Sequence, residues 1–153
     1  MNLSTKSDSF LRLFLIRITI ALLSILILIC YTTLPIYAQN SAEEYYDSGI
    51  EKLASGDFQG AIKEFDKATE INRKYTDAYY NRGVAKAKSG DYRGAIEDYN
   101  KAIEINPKLA EAYYNRGVAK IGLGQKYSGC LDLSRAGKLG YSKAYEAIKK
   151  YCN

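Results

Sequence analysis

Histidine is absent from all 153 residues. Its absence removes Ser–His and Cys–His nucleophile pairs, imidazole general bases and His-containing zinc sites together. Catalysis would have to come from Asp, Glu, Lys or Tyr, yet the acidic residues follow helix-surface spacing and form no convergent pair. The chain is therefore read as non-catalytic, with no metal and no cofactor. Proline is almost as scarce, two residues against 12 glycines, while 47% of the chain is hydrophobic and 25% charged. That excludes collagen-like and low-complexity chains and points to one compact domain with a short appendage. A large excess of one charge is also missing. Beyond residue 38, 19 Lys and Arg stand against 16 Asp and Glu, a net of +3. So small a charge argues against a dedicated nucleic-acid partner.

Residues 1–38 differ from the rest. Lys6, Arg12 and Arg17 against Asp8 precede an apolar run over 18–31 that Thr19 and Ser24 interrupt. A basic start ahead of an apolar core reads as export targeting. Thr32, Thr33 and Pro35 break the run, and Ala38 ahead of Gln39 puts a small residue where a signal peptidase cuts. Cleavage after Ala38 is the leading reading. The alternative is an uncleaved anchor, since 18–38 spans 21 residues, near the ~20 that cross a bilayer, although Pro35 fits a spanning helix badly. Cys30 is not read as a lipid-bearing cysteine, because Ile29 precedes it where a small residue is needed. Both readings put the remainder outside the cytoplasm, periplasmic or extracellular. Membrane contact is confined to residues 10–38 if the segment is retained.

Self-similarity organises the remainder. Residues 78–86 (AYYNRGVAK) recur unchanged at 112–120, an offset of 34, and the same shift backward reaches Glu44-Tyr45-Tyr46-Asp47-Ser48-Gly49. Three gapless blocks result, 42–75, 76–109 and 110–143. Gly49, Gly83 and Gly117 fall inside otherwise helical stretches, where glycine costs ~1 kcal/mol relative to alanine, so close helix approach must compensate. Ala61, Ala95, Ala68, Ala102 and Ala136 supply small partners, and Phe65, Tyr99 and Leu133 fill the space between them. Gly56-Asp57, Gly90-Asp91 and Gly124-Gln125 punctuate each block as a helix end and tight turn, and Asn106-Pro107 stops a helix. Helices are expected over 42–55, 58–71, 76–89, 92–105, 110–123 and 127–138. Beyond them Tyr141, Ala144, Tyr145, Ile148 and Cys152 share one helical face, an amphipathic closing helix over the tail (144–153) that covers the last block.

These columns, taken together with the fixed period, resemble the tetratricopeptide repeat family over 42–143. Two positions depart from it: Arg73 replaces the usual proline, weakening the stop after block one, and Gly129 replaces the usual alanine, marking an atypical last block. The resemblance implies an all-α fold. Helix-turn-helix repeats would stack as a right-handed superhelix, an α-solenoid, with a C-terminal capping helix and the N-terminal signal or anchor helix ahead of it. It also implies a concave surface lined by the first helices. Tyr46, Tyr80 and Tyr114, with Asp47, Asn81 and Asn115, and with Val84 and Val118, would turn toward that groove.

An asparagine amide donates and accepts, so a row of them can hold an extended peptide backbone, and tyrosines add flat apolar area with a polar tip. Packing between blocks remains the alternative for the tyrosines. Arg82 and Arg116 are expected to be solvated, or else paired with nearby carboxylates. The family's lysine and asparagine clamp for heat-shock chaperone C-termini is not expected, because Tyr46 and Ile50 stand at its first-block positions. The resemblance further implies that Cys130 and Cys152 lie on neighbouring helices, where they form either a bridge or two small buried thiols. The expected partner is an unidentified protein or peptide held in the groove. Self-association through Ile50, Val84, Val118 and Ile121, as a tethered scaffold, is the other reading.

Overall fold

The computed structural model describes the backbone of residues 3–152 and the side chains of 15–28 and 41–152. The chain divides into two compact units, Met1–Ala38 and Gln39–Asn153. In the first, the apolar residues from Leu15 to Leu28 are mostly exposed, Leu28 at 69%. Thr19 and Ser24 return their hydroxyls to the carbonyls of Ile16 and Ala21 at 2.8 and 2.7 Å. Back-bonding of this kind satisfies a hydroxyl within its own helix. Among the described residues no helix is long and apolar enough to cross a membrane. The side chains of Cys30, Pro35 and Ala38, on which the lipidation, anchor and cleavage readings turn, lie outside those described.

The second unit is built from helices: the last part of α1 (Leu3–Ser55), then α2 (Phe58–Ile71), α3 (Thr76–Lys88), α4 (Tyr92–Ile105), α5 (Ala110–Gly122), α6 (Lys126–Lys138) and α7 (Lys143–Tyr151). Their ends repeat because the sequence at them repeats. Asp57 and Asp91 cap α2 and α4, each side chain accepting the third following amide, Gly60 or Gly94, at 2.9 Å. An aspartate in that role satisfies a backbone donor the helix cannot. Gly56, Gly90, Gly124 and Gly140 take φ between +77° and +95°, the left-handed conformation that ends a helix and costs glycine least. Arg73 does not blur the stop after α2. Asn72 takes φ −117° and its side chain accepts the Lys74 amide at 3.0 Å, as Asn106 does for Lys108 at 3.1 Å, so α2 and α4 end in the same register.

The interior is mostly alanine with one large side chain per block: Phe65, Tyr99 and Leu133, each at most 1% exposed. Such a core requires helices to lie close, and the mid-helix glycines allow it. A Cβ on Gly83 would sit 2.7 Å from the Tyr99 ring. In the last block the contact is tighter still, since a Cβ on Gly129 would meet the Gly117 carbonyl and the Ile121 side chain, both at 2.6 Å. The departure at 129 is thus the form the same column takes where α5 and α6 touch backbone to backbone.

The closing helix differs from expectation at two positions. Ala147, off the expected face, is buried with Ala144, whereas Tyr145 is 61% exposed. Its ring lies over Gly137 and its hydroxyl donates to the Gly137 carbonyl at 3.2 Å, so it straps the outside of α6 instead of entering the core. Cys130 of α6 and Cys152, just past α7, form a disulfide with Cα atoms 5.8 Å apart.

Candidate binding groove and its polar ladders

Residues of the first helices, α3 and α5 with residues 41–55, carry two ladders that cross from block to block. In one, the Asn81 amide donates to the Tyr46 hydroxyl and Asn115 to that of Tyr80, both at 3.0 Å. Asn81 gives its second proton to the Asp77 carbonyl at 3.0 Å. This narrows the sequence reading: with both donors engaged, Asn81 has only its oxygen left, as an acceptor, and donation passes to the tyrosine hydroxyl, which keeps its own proton after accepting one. Tyr114 has no asparagine above it; its ring packs on Tyr141, centres 5.0 Å apart. Tyr46 packs on Phe65 and Tyr75, and Tyr80 on Tyr99, at 5.8, 5.0 and 6.1 Å. The rings therefore pack within their own blocks, and the hydroxyl ends carry the contact between blocks.

Burial, then the charges of Asp77 and Asp47, raises the Tyr46 hydroxyl pKa above its usual value, opposed by the Asn81 hydrogen bond. Burial and the neighbouring Tyr141 raise that of Tyr80, and burial with nearby Tyr46, Glu43 and aspartates holds Tyr75 up at about 12. All are neutral donors at ordinary pH. Asp47 itself is exposed, while Val84 and Val118 are half-buried beside the ladder. Ile50 packs against the cluster of Ala61, Phe65 and Ala85, so it belongs to the core edge more than to an open apolar stripe.

The second ladder overturns the reading of the arginines as solvated. Arg82 holds Asp98 through Nε and Nη2 at 3.0 and 2.5 Å, and reaches Asp66 and Thr69 with Nη1 at 2.7 and 2.9 Å. Arg116 repeats this on Asp132, at 2.8 and 2.6 Å, with Asn100 at 2.7 Å. Lys86 and Lys120 bind the same two carboxylates at 2.8 Å. Each arginine so ties its own block to the one before. Burial opposes the Arg82 charge, but Asp98 and Asp66 outweigh it and raise the guanidinium pKa.

Asp98 and Asp132 are buried, 3% and 7% exposed, and were not singled out from sequence. The available signal was the recurrence of Arg with Asp 16 residues later in blocks two and three. Block one has Ser48 in the arginine column, and there Glu64 pairs with Lys52 and Lys67 at 2.6 and 3.0 Å, which lowers its pKa. Where α4, α5 and α7 meet, Tyr92, Val118, Ile121, Gly122 and Tyr151 line a pocket of about 150 Å³. Among the described residues no cluster of Cys, Asp or Glu is arranged to hold a metal ion.

Paired helices in fixed 34-residue blocks, joined by polar ladders and closed by a final helix, define a helical-repeat solenoid. A family model described as TPR repeat matches residues 42–90 and 85–124. The chain belongs to the tetratricopeptide repeat family. Solved structures of similar shape include MamA, 33% identical over 69% of this chain and 61% of MamA, with a TM-score of 0.64. The TPR2B domain of yeast Sti1 in a complex with pHsp70 is 29% identical over 72% of this chain and 93% of that one, with a TM-score of 0.68. The first TPR domain of Spaghetti (RPAP3), bound to an HSP90 peptide, has a TM-score of 0.72 over 74% of this chain and 92% of its own, and at 22% identity shares the fold alone. A comparison with curated proteins returns no match.

Proposed function

We propose that the chain is an exported, non-catalytic interaction module that holds an extended peptide or a helix of another protein against its first helices. The observation that carries this is the Asn–Tyr ladder, which leaves tyrosine hydroxyl protons and an asparagine oxygen for a peptide backbone. Similar solved domains are complexes with HSP90 and pHsp70 ligands, which supports the class of activity. The chaperone ligands themselves are not proposed here, because Tyr46 and Ile50 take the first-block places of the family's clamp. Export is proposed from the basic and apolar start of the chain, with release after Ala38.

Recovery of partners from an envelope extract tests the groove. Asn81→Ala, Asn115→Ala and Tyr80→Phe combined are expected to abolish recovery of a specific partner, with the melting temperature checked in parallel. Unchanged recovery contradicts the groove reading. Sequencing the N-terminus of the protein from each cell fraction tests export: a start at Gln39 outside the cytoplasm is expected, and an intact Met1 in the cytoplasm contradicts it.

A further inference from the structure

The repeat breaks its own pattern at the end of one first helix. α3 ends on Lys88, whose ammonium lies 5.8 Å from the centre of the Phe58 ring. Thirty-four residues on, the same two columns hold Gly122 and Tyr92. With no side chain at 122 the Tyr92 ring is uncovered, 38% exposed. The pocket of about 150 Å³ opens over it, walled by Val118 and Ile121 and closed by Tyr151 from the cap. These walls are rings and branched aliphatic chains, which suit an apolar side chain and provide no fixed charge.

The last block and the cap, which supply four of the five lining residues, carry an excess of positive charge. Residues 110–153 hold eight Lys and Arg against Glu111, Asp132 and Glu146, a net of +5, whereas residues 39–109 hold 11 against 13, a net of −2. Asp132 is already bound by Arg116 and Lys120. Within the cap, the Lys150 ammonium stands 4.7 Å from the centre of the ring of Tyr151, one of the lining residues. Apolar walls in a basic setting select both a side chain and its neighbours.

We propose that this pocket takes the apolar side chain, leucine to phenylalanine in size, of an acidic partner segment. The proposal rests on the interaction-module reading and names what one end of that surface recognises. The anchor fills the space a lysine stem fills one block earlier, and flanking carboxylates meet the excess cations of the last block and cap.

The probe is a fluorescent, end-blocked heptapeptide of glutamates around one central leucine, titrated into the full-length chain and followed by anisotropy. It is expected to bind about tenfold more tightly than the same peptide with alanine at the centre, or with lysines in place of the glutamates. Gly122→Leu fills the pocket from within. A Cβ there meets the Tyr92 ring at an ordinary 3.7 Å, so the variant is expected to keep its melting temperature. It should bind the leucine peptide about tenfold more weakly.

Failure of the leucine peptide to bind, equal binding after Gly122→Leu, or tighter binding of the lysine peptide each overturns the proposal. A natural partner retained by Gly122→Leu yet lost on changing Tyr80, Asn81 and Asn115 would also remove the pocket while leaving the groove reading intact. A partner lost with Gly122→Leu and kept by the triple variant would do the reverse.

Discussion

At Gly83 a single added carbon would lie 2.7 Å from the ring of Tyr99, a side chain 1% exposed and unable to withdraw. Gly83→Ala is therefore expected to destabilise by about 1–3 kcal/mol despite alanine's better helix propensity. At Gly122, where the nearest atoms are 3.7 Å away, the same change is expected to cost nothing. Paired thermal melts of the two variants check the contrast. Asp98 presents the opposite problem, a buried anion serving Arg82 and Lys86. Asp98→Ala strands Lys86 and leaves Arg82 with Asp66 and Thr69 alone, and is expected to cost about 3 kcal/mol in urea unfolding, far more than the exposed pair Lys101–Glu104 would on losing a partner.

At the scale of the helix, the closing element is held by the Cys130–Cys152 bridge over a sequence separation of 22. Reduction, or Cys152→Ser, is expected to lower stability by about 3 kcal/mol by freeing the unfolded chain, measured by urea unfolding with and without reductant. The limits of the helices were legible in the sequence because glycine, aspartate and asparagine recur at the same offsets, and each acts locally on backbone groups. The arginine ladder was less legible. An arginine's exposure depends on carboxylates of the adjoining helices, and Asp98 looks like any surface residue until α3 and α4 are packed. Tyr145 shows the same limit: it fits the apolar stripe by spacing, but a small residue at 137 offers its ring and hydroxyl a seat on the outside. Along the candidate groove the columns were legible, whereas the direction of each hydrogen bond was not. Asn81 required the neighbouring block to show where its protons go.

At the scale of the whole array, titration acts from both ends of the pH range. Tyr75 keeps its proton up to about 12 in the folded state against 10.0 in an ordinary tyrosine. Its contribution is complete below pH 10 and is lost as pH rises through about 12. Tyr75→Phe is expected to flatten the alkaline fall in melting temperature. Glu64 works in the other direction. Hydrogen bonds from Lys52 and Lys67 lower its pKa, so its contribution is complete above the usual carboxylate range and fades as pH drops through the lowered value. Glu64→Gln should shrink the acid limb of the same curve.

The first helices are proposed to act together as one recognition surface, and amide hydrogen exchange on the full chain, with and without a recovered partner, tests that most directly. Added protection is expected in α3 and α5, strongest around Tyr80–Val84 and Tyr114–Val118. Protection confined to α2, α4 and α6, with α3 and α5 unchanged, would contradict it.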